Sequence, residues 1–128
     1  MQAMDSDLEF FLGEFWEALS VAESSGDLAH VAPMCAEDLT FISQAKMPCE
    51  SLEDLIAVWW TPPSGYRITF DTMDVVSSGE MAIGRGIATD SFTTEDGIVG
   101  GHRYNYLAVF GKRAVGWRLT HFISNLID

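Results

Sequence analysis

Apolar residues recur at helical spacing near the start of the chain, where Leu8, Phe11, Leu12, Phe15, Trp16, Leu19 and Ala22 form one wide stripe. Ser6 is placed to cap this helix, with Glu9 three residues on completing a capping box. Gly26 is its natural stop, because a residue without Cβ takes up the left-handed turn after a helix. Asp27 caps a short second helix carrying Leu28, Val31 and Met34, kept brief or bent by Pro33, which has no amide to donate. A strand is expected at Leu39 to Gln44, with Met47 to Cys49 pairing back on it. Ser51 caps a third helix, Leu52 to Trp60, whose apolar face is Leu55, Ile56, Trp59 and Trp60 and which Pro62-Pro63 ends.

From Tyr66 the period changes to two, and four strands follow: Tyr66 to Val76, Glu80 to Thr94, Ile98 to Phe110 and Val115 to Asn125. Ser77-Ser78-Gly79 and Glu95-Asp96-Gly97 each read as a hairpin loop with glycine third, where φ must be positive. These turns fix a register. The second pairs Thr94 with Ile98 and so sets Asp90 opposite His102, Ala88 opposite Tyr104 and Gly86 opposite Tyr106. The first pairs Val76 with Glu80, setting Phe70 opposite Gly86 and Ile68 opposite Ala88. If Phe110 meets Trp117 at the last turn, Tyr106 faces His121 and Ala108 faces Leu119.

Side chains alternate between faces, so one face collects Ile68, Phe70, Ala82, Gly84, Gly86, Ala88 and Asp90 from the first two strands. The last two add His102, Tyr104, Tyr106, Ala108, Phe110, Trp117, Leu119, His121 and Ile123. Small residues on one strand beside aromatics on the next imply a sharply curved sheet, with a bulge at Gly100-Gly101. The expected architecture is α+β: a cone-shaped, curved, mainly antiparallel (mixed) sheet wrapped around three helices, in one domain spanning 1–128. The opposite face carries Ile83, Arg85, Ile87, Arg103, Asn105, Leu107, Val109, Arg118, Thr120 and Phe122. That mixture is too apolar for water and too polar for a core, which points to a homodimer through the outer sheet face.

Composition narrows the partners. Seven basic residues against nineteen acidic ones give a net charge of -12, a field that repels nucleic acid and anionic membrane. No apolar run approaches the ~18 residues of a membrane span, and the acidic stretch from Met1 to Asp7 is unlike a secretory signal. Cys35 and Cys49 lack metal-type spacing and read as idle thiols of a cytoplasmic protein.

Runs along the chain resemble the nuclear transport factor 2-like and SnoaL-like superfamily, especially its uncharacterised, ketosteroid-isomerase-like branch. The opening is similar in Ala18-Leu19, Ser25-Gly26-Asp27-Leu28 and Ala36-Glu37-Asp38-Leu39-Thr40-Phe41-Ile42. The closing strands are similar in Ser78-Gly79-Glu80-Met81-Ala82, Tyr106-Leu107-Ala108-Val109-Phe110 and Gly116-Trp117-Arg118-Leu119. The resemblance runs from about Leu8 to Asn125 and implies a cystatin-like α+β barrel, usually dimeric, with a cavity for a small molecule. It implies no single activity, since the superfamily includes isomerases, cyclases, hydrolases and association modules.

The superfamily's chemistry does not carry over residue by residue. Its ketosteroid isomerases use an aspartate base with a tyrosine and a protonated aspartic acid. Here the base position falls on Ser43, the tyrosine position on Trp16 or Leu19, and the second acid near Tyr106. The hydrolase pattern of Asp-Arg-Asp finds Asp90 but no inward arginine. What remains is a candidate catalytic set of Asp90 with His102, and Tyr106 with His121, in which histidine exchanges protons and the tyrosine hydroxyl reads a carbonyl. The same groups also serve as ordinary structural pairs or ligand anchors.

Candidate ligand-binding residues are Trp16, Phe41, Ser43, Trp59, Trp60, Phe70, Tyr104, Tyr106, Trp117 and His121. No metal site is expected, because His30 falls on a helix surface away from the other histidines, and no cofactor is implied. Three functions stay open: binding a small apolar ligand, proton-transfer chemistry on an apolar carbonyl substrate, or non-catalytic association.

Overall fold

The computed structural model describes residues 5–43 and 48–127. In chain order it contains α1 (Ser6–Ser25), two single 3-10 turns (Leu28–His30 and Ala32–Met34), β1 (Cys35–Ile42), α2 (Leu52–Val58), β2 (Arg67–Ser78), β3 (Met81–Thr93), β4 (Val99–Arg113) and β5 (Gly116–Leu126). The strands form one mixed sheet in the order β1-β5-β4-β3-β2, with β1 parallel to β5 and every other pair antiparallel. Among the described residues no helix is long and apolar enough to cross a membrane.

α1 forms because its buried residues Leu8, Leu12, Phe15, Leu19 and Ala22 alternate by four and three, which keeps them on one face of a 3.6-residue helix. Gly26 ends it in the left-handed region at φ 81°, donating its N–H to the carbonyl of Ala22. The cap at its start is Asp5 rather than Ser6: the Asp5 carboxylate accepts the N–H of Asp7. The helix lies on the sheet face bearing Phe70, Tyr106 and Phe110. It is tied to the edge strand β2 through Ile68, whose carbonyl accepts the Ser20 hydroxyl and whose N–H donates to Ser24 Oγ at 3.2 Å. That clamp covers backbone groups an edge strand would otherwise expose.

Among the described residues there are two α-helices, not three. The expected second helix is a pair of 3-10 turns, because Asp27 caps only one turn and Pro33 falls where a continuing helix needs an amide. α2 stops at Val58, and Trp59 is extended at ψ 141°, so both tryptophans belong to the loop before Pro62-Pro63. β1 begins at Cys35, four residues before the expected Leu39. Gln44 and Met47 lie outside the described residues, but Cys49 pairs back on Phe41 through two 2.9 Å backbone bonds.

The β3–β4 hairpin follows the turn chemistry: Gly97 has φ 80°, Thr94 meets Ile98, and Asp90, Ala88 and Gly86 lie opposite His102, Tyr104 and Tyr106. No bulge occurs at Gly100-Gly101; Phe92 pairs with Gly100 and its ring lies across the missing side chain. The other two hairpins differ. β2 turns into β3 at Gly79-Glu80, with Ser78 opposite Met81, and a bulge follows between Thr72 and Asp74. Phe70 therefore faces Ala88 rather than Gly86, and Ile68 faces Asp90 rather than Ala88. An even shift leaves both residues on the inner face.

β5 has the opposite outcome. Phe110 pairs with Leu119, then a bulge next to Thr120 moves the register, so that Ala108 faces Phe122 and Tyr106 faces Ser124. Thr120 Oγ1 donates to the carbonyl of Val109 at 3.1 Å and fastens the bulge. Trp117 and Leu119 are buried inside, but beyond the bulge Phe122 is in the core while His121 and Ile123 are exposed. The expected pairs Tyr106 with His121, Ala108 with Leu119 and Phe110 with Trp117 do not form. The bulge buries a phenyl ring in place of an imidazole, a preference of roughly 1.5–3 kcal/mol in area alone.

Candidate functional site

Asp90 sits on the inner face of β3, only 4% exposed. Its Oδ1 accepts the backbone N–H of His102 at 2.7 Å and lies 3.2 Å from His102 Nδ1. Its Oδ2 accepts the hydroxyls of Tyr66 at 2.8 Å and Tyr104 at 3.0 Å. A carboxylate is costly to bury unless its lone pairs are satisfied, and here four donors converge on it. The backbone supplies them: β4 places His102 directly across and Tyr104 two residues on, while Tyr66 stands just before β2, two residues ahead of the Ile68 that pairs with Asp90.

Burial pushes the Tyr66 hydroxyl well above the ordinary phenol range, and its hydrogen bond to Asp90 and that carboxylate's charge add to the shift. Tyr104 is pushed up to about 12, again by burial first and then by Asp90. Glu23 raises both through its charge. The two phenols thus stay protonated and donating across the neutral range.

Tyr66 and Tyr104 form one side of a cavity of about 130 Å³. Trp59, Trp60, Phe41, Phe70 and Phe122 supply further aromatic wall, Ala88 and Ile68 the floor, and Glu23, Ser43 and Ser124 polar positions. Neighbouring rings meet steeply: Trp60 with Tyr66 at 86°, Phe41 with Trp59 at 73° and Phe70 with Phe122 at 79°. On the far side of Tyr66 and Tyr104 is a second, more open recess of about 250 Å³, where Asp90, His102 and Phe92 face Trp60 and Pro63. His102 stacks on Phe92 with centroids 5.6 Å apart, and Asp90 orients it through Nδ1, leaving Nε2 as its other proton site. The loop carrying both tryptophans is held by Pro62, whose ring packs on Gly26 so closely that a Cβ there would fall 2.7 Å from it.

Of the residues the sequence nominates, Phe41, Ser43, Trp59, Trp60, Phe70 and Tyr104 line the cavity, and Asp90 and His102 meet beside it. Four others do not line it. Trp16 fills the space below, with centroids 4.9 Å from Tyr106 and 5.7 Å from Phe70. Tyr106 is buried with its hydroxyl 2.9 Å from Thr72 Oγ1, over Gly86, and burial raises its pKa. Trp117 is core, 3% exposed. His121 points away from the site entirely, its Nδ1 3.0 Å from Thr120 Oγ1 on the outer side of the sheet. The pairing of Tyr106 with His121 therefore does not exist.

Tyr66, Glu23, Phe122 and Ser124 are cavity residues that sequence reasoning missed. Continuing the β2–β3 pairing past Ile68 would have found Tyr66, and Glu23 lies seven residues, two helical turns, beyond Trp16 on α1. Phe122 carried no signal, because only the bulge turns it inward. Elsewhere, burial pushes the Cys35 thiol up to about 12, which leaves it a poor nucleophile. His30 is exposed, 3.8 Å from Asp27, and the described residues hold no group of three or more metal-ligating side chains.

No protein-family model and no curated protein matches the chain. Solved structures do. An NTF2-like protein with a cystatin-like fold from Novosphingobium aromaticivorans aligns with a TM-score of 0.79 at 17% identity, over 94% of this chain and 84% of that one. A ketosteroid isomerase-like protein from Erwinia carotovora atroseptica gives 0.76 at 17% identity, over 98% and 99%. The CaMKII hub of S. rosetta gives 0.77 at 21% identity, over 99% of each chain. The chain therefore has the nuclear transport factor 2-like, cystatin-like fold, and likeness at this identity establishes the fold alone.

Proposed function

We propose that the chain is a small-molecule-binding domain whose ligand sits among Trp59, Trp60, Tyr66 and Tyr104. The observation that carries this reading is a cavity walled by seven aromatic rings beside a buried carboxylate whose hydrogen bonds fix two of those rings. Aromatic rings held rigid in this way lose little entropy when a ligand docks. At about 130 Å³ the cavity is smaller than the ~300–1,000 Å³ of drug-sized pockets, so it takes a compact group. The test is native mass spectrometry of the protein as purified from cells, compared with Ala88→Leu, which fills the floor. A bound small molecule lost in a folded Ala88→Leu variant supports the reading. An empty wild-type protein whose tryptophan emission responds to no small apolar compound rejects it.

The orientation of His102 by Asp90 supports a catalytic use of the same site, with the imidazole exchanging protons with a substrate in the outer recess. His102→Gln that binds ligand but no longer converts it would support that use.

A second reading, association, rests on the outer sheet face. Val76, Met81, Ile83, Leu107 and Ile123 are each more than a third exposed there. Leu107 and Ile123 line a groove of about 380 Å³ together with Met73, Arg85, Asn105 and Asn125. Several similar structures are association or hub domains, and a second copy of this chain would cover such a face. Light scattering of wild type against Leu107→Lys tests it: a dimer that becomes a folded monomer supports the pairing, and a monomeric wild type rejects it.

A further inference from the structure

The charge and shape of the cavity together narrow the ligand's chemistry. Seven aromatic residues line the cavity, some meeting steeply (Trp60 with Tyr66 at 86°, Phe41 with Trp59 at 73°, Phe70 with Phe122 at 79°) and Phe41 stacking on Phe122 at 17°, so that a guest is surrounded largely by aromatic surface. None of the described residues lining the cavity or the adjoining recess is Lys or Arg, whereas Glu23 lines the one and Asp90 the other. Tyr66 and Tyr104 each donate to Asp90 Oδ2, and a phenol that donates to an anion carries more electron density in its ring, which strengthens the negative face presented to the cavity. The net charge of -12 adds a long-range field that concentrates cations and repels anions.

We infer that the group bound in this cavity is a small organic cation, an alkylated or protonated ammonium, held by cation–π contact with Trp59, Trp60, Tyr66 and Tyr104 and by the carboxylate of Glu23. This rests on the ligand-binding reading above and specifies its substrate class. An alkylammonium suits the site on two counts. Its surface is hydrocarbon, which the rings accept, and its charge is spread over that surface, so it needs no dedicated hydrogen-bond acceptor within the cage. A carboxylate, phosphate or enolate ligand would meet the carboxyl groups of Glu23 and Asp90 and no Lys or Arg among the described residues of these walls.

Calorimetric titration with choline and with its uncharged isostere 3,3-dimethylbutan-1-ol separates charge from shape. The full chain should bind choline at least roughly tenfold more tightly. Glu23→Gln should narrow that ratio several-fold, and Trp60→Leu should abolish choline binding, both with wild-type circular dichroism. Equal affinity for the two probes, or an affinity for choline that Trp60→Leu leaves unchanged, would overturn the cation inference. Binding of the neutral isostere alone would also overturn it, while leaving the small-molecule reading standing. If neither probe binds and no molecule co-purifies, both fail together.

Discussion

The hydroxyl of Tyr66 lies 2.8 Å from Oδ2 of Asp90, joining the residue just before β2 to a buried carboxylate on β3. Because Tyr104 reaches the same oxygen, one charge fixes two of the rings that enclose the cavity. Removing one donor should therefore cost stability and loosen the wall. Tyr66→Phe should lower unfolding free energy by about 1.5–3 kcal/mol, as expected for a hydrogen bond to a charged group, and the more exposed Tyr104→Phe by less. Urea denaturation of both variants measures the difference. A Tyr66→Phe protein as stable as wild type would mean that the bond is not made in solution.

The tyrosines also predict behaviour in alkali. All three, Tyr66, Tyr104 and Tyr106, have raised pKa values, with burial the first cause in each. An unfolded tyrosine loses its proton near pH ~10, so above that pH the unfolded chain releases protons that the folded one retains. Stability is then fully present below about pH 10 and is lost as pH rises toward the folded value, about 12 for Tyr104. Phenolate absorbance of the native protein should stay low at pH values where the urea-unfolded chain has fully ionised.

Two glycines on the same face of β3 should respond oppositely to a methyl group. At Gly86 a Cβ would fall 1.9 Å from the carbonyl oxygen of Asp71 and 2.6 Å from the Tyr106 hydroxyl. At Gly84 it would meet Trp16, Phe110 and Val75 at 3.7–3.8 Å, ordinary contact distances. Gly86→Ala should destabilise by about 3 kcal/mol or more. Gly84→Ala should stay within about 0.5 kcal/mol of wild type or gain slightly from a stiffer unfolded chain. Thermal melts of the two variants decide it.

Gly26 couples the end of α1 to the tryptophan loop. Its φ of 81° costs a side-chain-bearing residue about 1–2 kcal/mol, and Pro62 occupies the space a Cβ would need. Gly26→Ala should both destabilise the fold and displace Trp59 and Trp60, seen as a red shift of tryptophan emission and weaker ligand binding. A stability loss without any change in emission would show that the loop is held elsewhere.

The β5 bulge separates His121 from Phe122. His121→Ala should change stability by no more than about 0.5 kcal/mol and leave ligand binding intact. Phe122→Ala should cost about 3–5 kcal/mol. The reverse order would restore the unbulged register and with it the lost pairing of Tyr106 with His121.

Local chemistry in the sequence determined much of this protein. The 3.6-residue period defines the buried face of α1, Gly26 its end, and the Glu95-Asp96-Gly97 turn the β3–β4 register that brings Asp90 to His102. Each of these rests on groups near one another along the chain, so composition over a few residues suffices. Tertiary structure decided what turns could not. A bulge adds one residue to a single strand and reverses the facing of everything beyond it. In β2 the expected turn is off by an odd number and the bulge restores the facing of Phe70; in β5 the turn is off by an even number and the bulge reverses His121 and Phe122. Where such a residue is inserted depends on which side chains gain most from burial against α1 and β1, a sum over partners distant in sequence. The site inherited that division: Asp90 and His102 were legible from one hairpin, whereas Tyr66, Glu23 and Phe122 met them only when the sheet closed on the helix.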